Sequence, residues 1–203
     1  MNSIKTIIFD LGGVLLDIDF KRSENAFFQL GAPQFSQMAS MAGSNELFTS
    51  LETGMEVEQF NHQFRQLTQL NISDKQIETA WNALLLDFRK ESMQHLLILK
   101  QKYNLYLLSN TNEIHLQEFQ KKLIHQLPSL SWDNCFDACY FSHRIRKRKP
   151  NAEAWLHIVN KHALKAEETL FIDDSHANIK AAKQLGMQTI HLLPYMRIEN
   201  LSL

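Results

Sequence analysis

Cysteine is scarce: only Cys135 and Cys139 occur in 203 residues. Their C-x-x-x-C spacing matches neither a zinc knuckle nor a redox C-x-x-C pair. With no other cysteine to pair with, free thiols in a reducing compartment are expected. The nine histidines show no H-x-x-x-H or H-E-x-x-H spacing, which argues against a zinc site. An excess of either charge is also lacking. The formal net charge is −1, so no basic face is implied and nucleic acid is not an expected partner. No apolar run approaches membrane-spanning length, and the N-terminus lacks a basic segment followed by an apolar one. A soluble cytoplasmic protein without membrane contact is expected. Repeats and low-complexity segments are absent as well.

What is present begins at once. Ile4, Ile7, Ile8 and Phe9 form a short apolar run, the pattern of a strand buried on both faces. It stops at Asp10, and Gly12 and Gly13 follow. A charged residue at the carboxyl end of a buried parallel strand lies where α/β sheets place ligands and chemistry. The glycines allow a sharp turn with the backbone uncovered.

At 203 residues with 44% apolar content, the chain can build one domain, or a core domain with a smaller insert. Val14 to Phe20 reads as a flap. Residues 19–90 carry apolar residues at helical spacing, among them Phe27, Phe60, Phe64, Ile77, Trp81, Leu84 and Leu85. Helix breaks are predicted at Gly31-Ala32-Pro33, Gly43-Ser44 and Gly54, and Ser73 with Gln76 offers a capping box. This block reads as all-helical. Residues 1–18 and 91–203 then alternate helices and strands. The later strands are predicted at Leu105–Leu108, Phe136–Phe141, Thr169–Ile172 and Gln188–Leu193, with Pro128 to Asn134 as a loop. The fold class is therefore α/β: a Rossmann-like, doubly wound parallel sheet of five strands, with an all-helical insert after the first.

Three of these strands end in polar groups: Asp10, Ser109-Asn110 and Asp173-Asp174. Carboxyl ends of a parallel sheet share one edge, so these groups should converge. Asp10 and Asp174, with a carbonyl such as that of Gly12, can hold a hard cation. Ser109 and Asn110 with backbone amides can bind anionic oxygens, and Lys149 adds positive charge. The set suits an anionic group under nucleophilic attack, most naturally a phosphoryl group.

These stretches resemble the haloacid dehalogenase superfamily. F-D-L-G-G-V-L-L-D, L-S-N-T-N, R-K-P-N-A-E-A-W and F-I-D-D-S-H-A-N-I occur in the order of that family's four motifs. The resemblance spans nearly the whole chain except the helical insert, which sits where its subclass I members carry a cap. It implies the sheet order 5-4-1-2-3 and Asp10 as a nucleophile forming an aspartyl-phosphate. Mg²⁺ would be held by Asp10, the Gly12 carbonyl and Asp174. Ser109, Asn110, Lys149 and the Gly12 backbone would meet the substrate, with Asp173 and Asn178 behind them. The partner would be a small phosphorylated metabolite, and the protein a monomer or homodimer.

One position departs from the pattern. Most phosphatases of the family carry a second Asp where this chain has Gly12, and general acid–base help is worth about 10² to 10⁴ in rate. The motif stretches are further similar to those of a bacterial α-glucose-1-phosphate phosphatase with Gly there, which points to a sugar phosphate. Two rivals stand beside this reading: a metal-independent 2-haloacid dehalogenase and a non-catalytic binding protein. Asp17 and Asp19 are expected to brace the flap, and His176 and the run Arg144 to Lys149, apart from Lys149, to be solvated. Phe27, Phe60, Phe64 and Trp81 are assigned to the core of the insert, with Glu52 and Gly54 at a turn facing the site.

Overall fold

A computed structural model describes residues 3–40 and 45–203. The first strand, β1 (Thr6–Phe9), runs to Asp10, and the flap strand β2 (Leu16–Ile18) follows. The helical block comprises α1 (Phe20–Gln29), α2 (Phe35–Ser40), α3 (Glu46–Glu52), α4 (Val57–Thr68) and α5 (Asp74–Asn82). Next come β3 (Leu85–Phe88), α6 (Lys90–Leu99), β4 (Asn104–Ser109), α7 (Glu113–Gln126), α8 (Trp132–Cys135) and β5 (Ala138–Phe141). The chain ends with α9 (Ser142–Ile145), α10 (Ala152–Lys161), β6 (Thr169–Asp173), α11 (His176–Gln184) and β7 (Gln188–His191), apart from short 3₁₀ turns.

The core sheet has the order β5-β4-β1-β6-β7, and every pairing in it is parallel. With the two flap strands left out of the count, this is the expected 5-4-1-2-3 read from the other edge. Side chains alternate across it as the pleat requires. Ile7, Phe9, Leu105, Leu107 and Ile172 pack on one face with Met93, Leu96, Phe119 and Leu123 from α6 and α7. Ile8, Tyr106, Leu108 and Phe171 pack on the other with Trp155, Ile158, Ile179 and Ala182 from α10 and α11. β1 is thus buried on both sides, which is why its apolar run has no polar alternation.

The block between the flap and α6 builds its own core from Phe27, Phe35, Phe48, Phe60, Phe64, Ile77 and Trp81. Its predicted punctuation is present at Gly31 (φ +89°), Gly54 (φ +104°) and the Ser73–Gln76 capping box. The predicted break at Gly43-Ser44 lies outside the described residues. The block is not all-helical, however. Leu85–Phe88 forms a strand that pairs antiparallel with β2, so α5 ends at Asn82 instead of running through Leu84 and Leu85. A partner strand waiting in the flap overrides the helical spacing there. Residues 132–135 form one helical turn with its own Ser131 capping box, where a loop was expected.

Candidate active site

Asp10 leaves β1 at the centre of the sheet, flanked by the ends of β4 and β6. Lys149 stands between two carboxylates. Its Nζ lies 2.8 Å from Asp10 Oδ1 and 2.7 Å from Asp173 Oδ2. The lysine side chain is 1% exposed and that of Asp173 is fully buried, whereas the Asp10 side chain is open to solvent by 13%. Burial works to discharge Lys149, and the Asp10 and Asp173 charges overcome it, so its pKa is raised. Burial likewise pushes the Asp10 carboxyl up to about 7; Lys149 opposes this, while Asp173 and Asp174 add to it.

The two aspartates at the end of β6 play different parts. Asp173 has both oxygens occupied. Oδ1 accepts from Ser175 N at 2.7 Å and Asn178 Nδ2 at 3.1 Å, and Oδ2 from Lys149 Nζ and Asn178 Nδ2 at 3.0 Å. Asp174 is exposed, and its pKa is raised by partial burial and by Asp173. Oxygens of Asp10, Asp173 and Asp174 lie within 4.8 Å of one another. Three carboxylates face one lysine, which leaves negative charge to be matched.

The glycines divide their work. Gly13 has φ +71°, and a Cβ built on it would lie 2.1 Å from Asp174 Oδ2. Only glycine therefore lets the Asp174 carboxylate rest on this turn. Gly12 sits in a small bridge whose two bonds come from its neighbours: Leu16 N to Leu11 O at 3.0 Å, and Gly13 N to Leu16 O at 2.8 Å. The Gly12 carbonyl stands outside that bridge. A Cβ on Gly12 would lie 3.1 Å from Ile18 Cδ1 of the flap, so an apolar tip occupies the space beside this position.

Ser109, 3% exposed, ends β4. The side chain of Asn110 forms a two-point clamp on the backbone of Lys149, accepting from its N–H at 2.9 Å and donating to its carbonyl at 2.8 Å. Asn112 caps α7 by accepting from His115 N. Asp17 braces the flap through Arg89 at 2.7 Å, and Asp19 caps α1. Asp10, Lys149, Asp173, Asp174, Asn178 and Asn110 thus come together at one sheet edge, with Ser109 at the end of the neighbouring strand β4.

Sequence reasoning missed three features here. Arg148 is not part of a solvated run: its Nε donates to Glu52 Oε2 at 2.7 Å, joining the C-terminal end of α3 to the residue beside Lys149. Its adjacency to Lys149 was the available signal. His191 Nε2 donates to the Asp174 carbonyl at 2.8 Å and steadies that loop from β7. A cavity of about 100 Å³ opens between the helical block and α7, with Phe35, Phe48, Trp81, Glu52, Asn112 and His115 in its wall. The face-to-face packing of Trp81 on His115, centroids 5.7 Å apart, spans that boundary.

The comparisons with known proteins follow the same lines. The family model of haloacid dehalogenase-like hydrolases matches residues 4–186. D-ribitol-5-phosphate phosphatase of Bacteroides thetaiotaomicron is 29% identical over 187 residues, 92% of this chain and 90% of that protein. A solved structure of a HAD family enzyme from Bacteroides thetaiotaomicron, in complex with magnesium and inorganic phosphate, has a TM-score of 0.88 at 30% identity, covering 99% of this chain and all of that one. A HAD-like family hydrolase from Porphyromonas gingivalis has a TM-score of 0.83 at 32% identity, covering 93% of this chain and 91% of the other.

Proposed function

The chain belongs to the haloacid dehalogenase-like hydrolases, and from that premise we propose that it is a Mg²⁺-dependent phosphatase acting on a small phosphorylated metabolite, a sugar phosphate, through an aspartyl-phosphate on Asp10. The observation that carries this reading is the charge balance at the sheet edge: Asp10, Asp173 and Asp174 gather there, and Lys149 is the one cation in contact with them among the described residues. Two relatives support the substrate class, the D-ribitol-5-phosphate phosphatase and a phosphorylated carbohydrates phosphatase of Thermotoga maritima.

The donor set fits a hard dication, since carboxylate oxygens gather at one point. Asp10, Asp174 and the Gly12 carbonyl would hold it; Asp173 is left out because its oxygens already accept from Lys149, Ser175 and Asn178. Bound there, Mg²⁺ supplies charge neutralisation between an anionic nucleophile and an anionic substrate.

The residues of the chain then divide the reaction. Asp10 Oδ1 accepts from Lys149 and from Leu11 N at 2.7 Å, which leaves Oδ2 to attack phosphorus. Lys149 and Ser109 bind the phosphoryl oxygens, and Asp173 with the Asn110 clamp keeps Lys149 in place. Asn110 contributes to substrate through its backbone, because its side chain is committed to that clamp. Attack expels the leaving oxygen, and water afterwards cleaves the aspartyl-phosphate to return Asp10. Residues 19–90 serve as a cap over a core formed by 1–18 and 91–203, excluding bulk water when closed. Gly12 transfers no proton, so an anomeric phosphate, with its comparatively good leaving group, suits this site.

The test is a panel of sugar and polyol phosphates, assayed with Mg²⁺ and again with a chelator. Phosphate release that requires Mg²⁺ is expected. Halide release from 2-haloacids without metal, and no phosphate release, would replace this reading with the dehalogenase one.

A further inference from the structure

The cavity between the helical block and α7, with Asn112 three residues past Ser109 in its wall, has a chemical character of its own. Its apolar wall is aromatic, from Phe35, Phe48 and Trp81. Its polar wall is rich in acceptors. Glu52 Oε2 takes the Arg148 bond, and Oε1 has no partner among the described residues. His115 Nδ1 lies 2.8 Å from Asn82 Oδ1, an acceptor, so Nδ1 carries the proton and Nε2 keeps a lone pair. No lysine or arginine lines this cavity among the described residues, and Arg148 behind it is held by Glu52.

Resting on the phosphatase reading above, we infer that Glu52 is the specificity-determining residue of this site. It offers a carboxylate to hydroxyl donors and ties up Arg148, so that the site selects a phosphate monoester whose leaving group is small, hydroxylated and uncharged. The hydroxyls of such a group donate to Glu52 and His115, and its C–H face lies on the aromatic wall. A second phosphate or a carboxylate on the leaving group meets the Glu52 charge instead of a free guanidinium. Burial makes that meeting costly: it lifts the Glu52 carboxyl above its usual range despite the opposing Arg148 and Lys149 charges, the mark of a desolvated group. Glu52 also couples recognition to chemistry, because Arg148 precedes Lys149, whose Nζ holds Asp10.

The experiment is steady-state kinetics of the wild type, Glu52→Gln, Glu52→Asp and the double variant Glu52→Gln/Arg148→Gln. The substrates are ribitol 5-phosphate and glucose 1-phosphate on one side and 3-phosphoglycerate on the other. Glu52→Gln is expected to lower kcat/KM about tenfold on the neutral-group esters, chiefly through KM, while raising it on 3-phosphoglycerate. Glu52→Asp keeps the wild-type preference, and the double variant loses the gain on 3-phosphoglycerate, because the guanidinium is gone. A wild-type selectivity ratio retained in Glu52→Gln overturns the role of Glu52 while leaving the phosphatase reading intact. A wild type that releases phosphate from none of the esters overturns the phosphatase reading, and this inference with it.

Discussion

At the scale of single residues, the site is organised by a lysine and two glycines. Lys149 is buried only because Asp10 and Asp173 both contact its Nζ. Replacing it with Met leaves two carboxylates facing each other without a counter-charge, and breaking a buried pair in this way typically costs about 3–5 kcal/mol. Lys149→Met is therefore expected to lower the urea midpoint markedly as well as to abolish turnover, and a wild-type midpoint would contradict the account. Gly13 makes a different prediction. Alanine there must adopt φ near +71° and push against Asp174 Oδ2, a local strain of about 1–2 kcal/mol. Gly13→Ala is expected to fold, to lose about that much stability and to bind Mg²⁺ at least about tenfold more weakly by titration calorimetry, since the proposed ligand Asp174 is displaced. Unchanged Mg²⁺ affinity would mean that Asp174 is not a ligand.

At the scale of elements, the sheet was legible because β1, β4 and β6 are short apolar runs that stop at polar residues, and nothing but a parallel edge brings such ends together. The capping box of α5 was legible for the same local reason: Ser73 bonds a backbone N–H within its own turn. β3 was not. Trp81, Leu84 and Leu85 continue a helical spacing, and only the flap strand β2, about seventy residues earlier, decides that Leu85–Phe88 extends. The packing of α7 against α5 supplies a testable pH effect. Burial holds His115 down to about 3, so it stays neutral in the folded protein, whereas in the unfolded chain it takes up a proton below about 6.5. A depressed folded value means stability that is complete above pH 6.5 and falls as the pH drops towards 3. Between pH 6.5 and 5, His115 should account for about 1–2 kcal/mol of lost stability. His115→Gln, compared with the wild type in urea at pH 7 and pH 5, should flatten that dependence; an equal loss in both would contradict the partly buried, neutral histidine.

At the scale of the whole molecule, the proposed chemistry draws on residues far apart in the chain that the sheet edge collects, while the proposed selection lies at the seam between the helical block and the core. The first was visible in the sequence because motif order and strand ends carry it. The second was not. Glu52 and Arg148 are 96 residues apart, and no periodicity or motif links a helix end in one block to a loop in the other. Arg148 even lay inside a basic run that reads as solvated until its partner is seen. No helix among the described residues is long and apolar enough to cross a membrane. The central claim is that Asp10 is the nucleophile of a metal-assisted phosphatase. Its most direct test is the turnover of sugar phosphates by Asp10→Asn beside the wild type, both saturated with Mg²⁺ and both shown to be folded. The account predicts a loss in kcat of at least about 10³-fold; an Asp10→Asn enzyme that releases phosphate at the wild-type rate would contradict it.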